Sequence, residues 1–256
     1  MRGIILAAGH GARLGLDLPK CAVEVGGVPL LMHQTKALEA VGVRDLTIVA
    51  GHREDLVRAL APSDAEIVVN RDYATTNSLY SFWLTRRPVC DDVVVLNSDV
   101  LFPVQVLARV LSELSSAAAV DCTSGADPEH MKVQMEAGIV TAMSKTLPRT
   151  ATTAENVGII RLTAPAAAAT YQAAARILRV GGQHDWLPAA VSVVARQYPI
   201  RGVDVSDLPW TEIDFPADLV RARDVVWPRV KAMRRLAVLT ALPRGAAADA
   251  VDEVAS

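Results

Sequence analysis

The chain has 256 residues, 51% of them hydrophobic, which suffices for one large α/β domain or two small ones and excludes a disordered chain. A formal net charge of −2 and a pI near 6.2 give no general attraction to nucleic acid or to an anionic membrane. The cysteines Cys21, Cys90 and Cys122 are odd in number and lack metal-ligand spacing, and no apolar run is long enough to span a membrane, so a soluble cytoplasmic protein with reduced thiols is expected.

The first apolar run, Ile4 to Ala8, has the length and bulk of a buried parallel strand. It breaks at Gly9-His10-Gly11-Ala12-Arg13, where two glycines allow close backbone approach to a ligand and turned amides form an anion-binding concavity. Arg13 adds a bidentate fork for phosphate oxygens and Lys20 a compact positive charge. Leu14 stands where G-x-G-x-x-G would place its third glycine, and no G-K-[ST] follows, so neither common phosphate-loop pattern is present.

Leu6 to Gly11, Arg13-Leu14, Pro19-Lys20 and Val23 to Leu30 together resemble the signature of the nucleotidyltransferases, L-A-A-G-x-G-x-R-L…P-K…V-x-x-G-G-x-P-L. The resemblance implies a glycine loop over the base and triphosphate, built from Leu6, Ala7, Ala8, Gly9 and Gly11. It also implies phosphate contacts from Arg13 and Lys20 as the catalytic pair.

Pro29 to Ala40 carries Leu30, Leu31, Gln34, Ala37, Leu38 and Val41 at helical spacing. A strand is expected at Leu46 to Ala50, a helix after Gly51-His52-Arg53 to Leu60, and a strand at Glu66 to Val69. This alternation predicts a Rossmann-like wound sheet with its ligands beyond the carboxyl ends of the strands, and His52 reads as an ordinary surface loop residue. Thr75 to Ser78 then caps a helix whose apolar face is Leu79, Phe82 and Trp83. The Asn77 amide offers both a donor and an acceptor, as a pyrimidine edge requires. Asn77-Ser78-Leu79-Tyr80 resembles the CTP-using branch, the phosphocholine and phosphonate cytidylyltransferases, which implies that Asn77 and Ser78 touch the nucleotide.

Val93 to Leu96 is a buried strand ending in Asn97-Ser98-Asp99, where a wound sheet presents a metal ligand. A helix over Val104 to Leu114, a strand at Ala117 to Cys122, a polar loop at Thr123 to His130 and a hairpin over residues 131–143 follow. Lys132 and Lys145 read either as solvent-facing strand residues or, by the resemblance, as contacts to the acceptor's phosphate or phosphonate. Thr150 to Glu155 is expected as a polar lid, Asn156 to Leu162 as a strand, Ala164 to Val180 as a helix, and a further helix from Gln183 to Arg196 whose His184 and Asp185 act as a cap and an acceptor contact.

Trp210-Thr211-Glu212-Ile213-Asp214-Phe215-Pro216 resembles the family's closing W-x-E-I-D-x-P, which implies that Asp214 completes a Mg²⁺ site with Asp99 while Trp210 and Glu212 pack. A helix follows over Arg229 to Leu239, then a frayed tail over Gly245 to Ser256. The expected organisation is one nucleotidyltransferase domain over 1–228, with an acceptor-binding β subregion near 123–200, and a C-terminal helix and tail over 229–256. The resemblance implies CMP transfer from CTP to a small phosphate or phosphonate acceptor, with Mg²⁺ as cofactor and pyrophosphate released. A sugar-1-phosphate nucleotidyltransferase and a non-catalytic nucleotide sensor are the alternatives, and a homodimer is left open.

Overall fold

In the computed structural model, which describes residues 1–88, 90–124 and 129–241 (side chains to 234), alternating strands and helices wind around β1 (Arg2–Ala7). A two-stranded hairpin, β2 (Glu24–Val25) and β3 (Val28–Pro29), leads into α1 (Leu30–Ala40), then β4 (Asp45–Ala50), α2 (Glu54–Leu60), β5 (Glu66–Val69) and α3 (Ser78–Leu84). Next come β6 (Val93–Asn97), β7 (Val100–Leu101), α4 (Val104–Leu111), β8 (Ser116–Asp121), β9 (Lys132–Glu136) and β10 (Ile139–Ser144). The chain continues through β11 (Ala154–Leu162), α5 (Ala164–Arg179), α6 (Leu187–Ala195), β12 (Ile200–Asp204), β13 (Thr211–Glu212), α7 (Pro216–Arg221) and α8 (Trp227–Ala241).

Nine strands form one sheet in the order β5-β4-β1-β6-β11-β8-β12-β10-β9. β5, β4, β1 and β6 run parallel, and the order reverses beside β1, so a crevice opens beyond the ends of β1 and β6. β11 is antiparallel to both β6 and β8, and its first residues also pair with β9 (Ala154 opposite Val133, Glu155 opposite Lys132), which curls the far end of the sheet back on itself. The curl needs the bulge between Asn156 and Ile160. Gly158 sits there at φ 82°, where an added Cβ would lie 2.8 Å from Asn97 Nδ2.

Alternating residues of each strand bury opposite faces. Ile4, Leu6, Val93 and Val95 pack with Phe82, Tyr171 and Val191 of α3, α5 and α6. Ile5, Ala7, Val94 and Leu96 pack with Leu31, Leu38 and Leu107 of α1 and α4. A third cluster joins Leu14, Val23, Val25 and Leu30 to Leu101, Ile213, Val226 and Val230, tying the loop after β1 to the last helices.

The wound architecture agrees with expectation; four local features differ. The helix expected to reach Leu114 stops at Leu111, because the chain must leave it to enter β8 in register with β12, and Leu114 is left exposed. The α-helix expected from Gln183 begins at Leu187, since the carbonyls of Gln183 and Asp185 accept from Asn77 N and Leu79 N and leave only a short 3-10 turn, Gly182–His184, before it. The expected lid is partly strand: Thr153 N donates to Val133 O, and β11 starts two residues before Asn156. The C-terminal helix is longer than expected, running from Trp227 to Ala241 directly after a π-helical turn, Ala222–Val226. Residues 125–128 of the expected loop and the tail from 242 lie outside the described residues.

Candidate active site

The crevice holds a cavity of about 310 Å³ between the loop after β1, the end of β6, the start of α3 and the β13 segment. Leu6, Ala8 and Gly9 form part of its wall, and a Cβ on Gly9 would meet nothing within 4 Å, so backbone faces open space there. Ala7 and Gly11, expected at the nucleotide, do not line the cavity. Ala7 points to the opposite sheet face, as strand alternation requires, and Gly11 makes the turn at φ 68°, with no room for a Cβ beside Leu18 O. Leu14, the residue that breaks the glycine pattern, is buried in the third cluster and pins the loop.

Four charged groups from distant parts of the chain meet at one end. Lys20 Nζ donates to Asp99 Oδ2 at 2.9 Å and to Asp214 Oδ1 in a shorter contact. Burial alone would push the Lys20 ammonium down, but Asp99 and Asp214 overcome it and hold its pKa above the usual lysine value. Arg13 is half exposed, donates to Glu129 Oε2 at 3.0 Å and stands 3.8 Å from Asp214. Antiparallel pairing of β7 with β13 brings Glu212 opposite Val100, and Ile213 N donates to Asp99 O at 2.9 Å. Asp214 is held from behind by its backbone N–H bonding Asp218 Oδ2.

Glu212 belongs to this group, which corrects its expected packing role: carboxylate oxygens of Asp99, Glu212 and Asp214 lie within 4.8 Å of one another. The signal was the spacing, since residues two apart on a strand share a face. Burial, then the Asp99 and Asp214 charges, pushes the Glu212 carboxyl up to about 8. Asp99 Oδ1 is buried with no hydrogen-bond partner. Three carboxylates facing one ammonium, with a buried oxygen left without a donor, fit a hard divalent cation such as Mg²⁺, which takes oxygen ligands.

The opposite wall carries Asn77 and Ser78, and both also serve the fold: Asn77 Oδ1 accepts from Ser78 N, and Ser78 Oγ accepts from Leu187 N. Sequence reasoning missed Tyr73, Glu129, Trp186 and Asn156 in the wall, and Asn70, which follows β5 at the ligand edge of the sheet, lines it too. Asn70 is buried and its amide donates to Thr76 and Ser81, which shapes the turn before α3. Lys145 lines the cavity with its Nζ 5.2 Å above the Trp186 ring. Lys132 neither faces solvent nor lines the cavity. The curl of β9 against β11 buries it, and its Nζ donates to Lys145 O at 2.6 Å. His52 is also buried rather than a surface residue, its ring 4.0 Å from that of His10 and tilted by 32°, and His184 lies outside the cavity wall.

A model of the MobA-like NTP transferase domain matches residues 3–157. A CMP-5'-(3-aminopropyl)phosphonate synthase of Streptomyces rubellomurinus is 40% identical over 129 residues, 46% of this chain and 20% of that protein. A mannose-1-phosphate guanyltransferase of Yarrowia lipolytica is 32% identical over 146 residues, 52% of this chain and 40% of that protein. The chain thus spans a fifth to two-fifths of the length of these relatives. The inositol-1-phosphate CTP transferase structure from T. maritima superposes with a TM-score of 0.68 at 21% identity, over 88% of this chain and 97% of that one, and the fold is the nucleotide-diphospho-sugar transferase type.

Proposed function

The chain belongs to the MobA-like NTP transferase family, and on that footing we propose that it is a Mg²⁺-dependent cytidylyltransferase, moving CMP from CTP to a small phosphate or phosphonate acceptor. The observation that carries this is the meeting of Lys20 with Asp99, Glu212 and Asp214 at the mouth of the glycine loop. Asp99, Glu212 and Asp214 would hold the cation, which when bound would neutralise and orient phosphate oxygens.

An acceptor oxygen forms the new bond to the α-phosphorus of CTP, the bond to the β-phosphate oxygen breaks, and pyrophosphate leaves with that electron pair. The acceptor oxygen is already ionised near neutral pH, so no general base is needed; the chain's work is positioning and charge neutralisation. Lys20, freed from its carboxylates when the triphosphate arrives, stabilises charge on the α-phosphate. Arg13 grips the departing pyrophosphate, and the amides of the loop at Gly9 cradle the phosphates. Asn77 and Ser78 meet the cytosine side. Lys145, from the 123–200 subregion, neutralises the acceptor's dianion, with Lys132 positioning it through the Lys145 carbonyl.

The phosphonate-activating relative and the Asn77 to Tyr80 segment favour CTP and a small acceptor. The guanyltransferase relative favours a second reading, a sugar-1-phosphate nucleotidyltransferase. Pyrophosphate release is measured for CTP, UTP, GTP and dTTP against phosphocholine, 2-aminoethylphosphonate, phosphonoformate, glucose-1-phosphate and mannose-1-phosphate. CTP with one of the first three acceptors should dominate. Dominance of a sugar phosphate overturns the acceptor class, and NTP binding without pyrophosphate from any pair favours a sensor. No helix among the described residues is long and apolar enough to cross a membrane.

A further inference from the structure

Of the three polar residues that helix α1 buries, His33, Gln34 and Thr35, Gln34 is the most enclosed. Gln34 is 1% exposed among Leu30, Leu31, Ala37 and Leu38. Its Nε2 donates to two main-chain oxygens, Asn97 O at 2.8 Å and Val100 O at 2.9 Å. These two carbonyls bracket Ser98-Asp99, so a single amide clamps both ends of the turn that carries a cluster carboxylate. The clamp reaches further. Val100 pairs with Glu212, and Asp99 O accepts from Ile213 N, so the strand delivering Glu212 and Asp214 hangs on the same turn.

The orientation of the amide is settled by its surroundings, since the reverse would set its oxygen against two carbonyls. That orientation leaves Gln34 Oε1 buried with no partner. An unsatisfied buried polar atom costs stability. A leucine would avoid that cost at Gln34 but would offer no donor to either carbonyl, so this residue type serves the turn rather than the core.

We infer that Gln34 is a positioning residue for the three-carboxylate cluster, setting the separation of Asp99 from Glu212 and Asp214 through the carbonyls of Asn97 and Val100. This rests on reading the cluster as a cation site. Groups that orient metal ligands commonly change metal affinity about 10–100-fold when lost.

The test is direct Mn²⁺ binding, followed by electron paramagnetic resonance without nucleotide or acceptor, on the full chain. Gln34→Met keeps length and removes the donor, and Gln34→Asn keeps the amide but is too short to span both carbonyls. Each should weaken Mn²⁺ binding by about tenfold or more. Ile200→Ala, a buried position on β12 away from the cluster, gives the thermal destabilisation of an ordinary core change and should leave Mn²⁺ affinity at the parent value. Should Gln34→Met not fold, Gln34→Asn carries the comparison. Parent-like Mn²⁺ affinity in the folded Gln34 variants overturns the inference alone. A parent that binds no Mn²⁺ overturns the cation site and the inference with it.

Discussion

Replacing Glu212 by glutamine should stabilise the metal-free protein while damaging its chemistry. The carboxyl is pushed from 4.5 to about 8 by burial and by its two acidic neighbours, so the folded state resists its ionisation. The sign follows from proton binding: between those values the folded state holds a proton that the unfolded state releases, so stability falls as pH rises. At about 1.36 kcal/mol per pH unit, the penalty is about 1 kcal/mol at pH 5, about 3 at pH 7, and about 5 above pH 8. Glutamine mimics the protonated carboxyl and carries no such penalty. With roughly 2–4 °C per kcal/mol for a domain of this size, Glu212→Gln should melt about 6–12 °C above the parent at pH 7. Its advantage should shrink toward pH 5. Lys20 does not confound the slope: its pKa is raised, so its stabilisation is complete below 10.5 and lost only at more alkaline pH. The assay is thermal melting in EDTA from pH 5 to 9, paired with pyrophosphate release in Mg²⁺, where turnover should fall about 10²-fold or more. A melting difference that is absent, or flat across pH, refutes the buried-carboxylate account.

Lys20→Ala should cut pyrophosphate release about 10²–10³-fold at saturating CTP and Mg²⁺, and turnover at the parent rate removes Lys20 from the mechanism. Lys145→Ala should raise the acceptor KM at least about tenfold with the CTP KM unchanged, the loss expected for one charge-assisted contact. Lys132→Met should do so only weakly while lowering Tm; an equal or larger KM effect from Lys132 returns it to the acceptor site. Gly26 sits at φ 62°, and a Cβ there would clash with the Trp227 indole. Gly26→Ala should therefore cost about 2 kcal/mol or more, read as a fall in Tm, and an unchanged Tm shows that the last helix is not seated on the hairpin as described.

The wound fold was legible because each element announces itself over a few residues. Ile4 to Ala8, Leu46 to Ala50 and Val93 to Leu96 are apolar at strand length, and Leu30 to Val41 repeats at helical spacing. Lys20, Asp99 and Asp214 were legible because each lies in a motif just beyond a strand or turn. The errors fall where a residue's role depends on what another strand brings to it. Lys132 alternates on its hairpin like a surface lysine, yet pairing of β9 with β11 covers it. Gln34 counts as one more position on a helical face until the turn at Asn97 to Val100 is laid against it.

The amino-acid order on its own determined which stretches become strands and helices and which charged side chains stand just beyond them. Those properties follow from local periodicity and residue type. Only the tertiary structure decided that Glu212 joins Asp99 and Asp214 and that the buried Gln34 amide reaches the carbonyls on either side of Ser98-Asp99. Such contacts are set by strand pairing and sheet curl across the molecule, and residues distant in sequence leave no local period to mark where they meet.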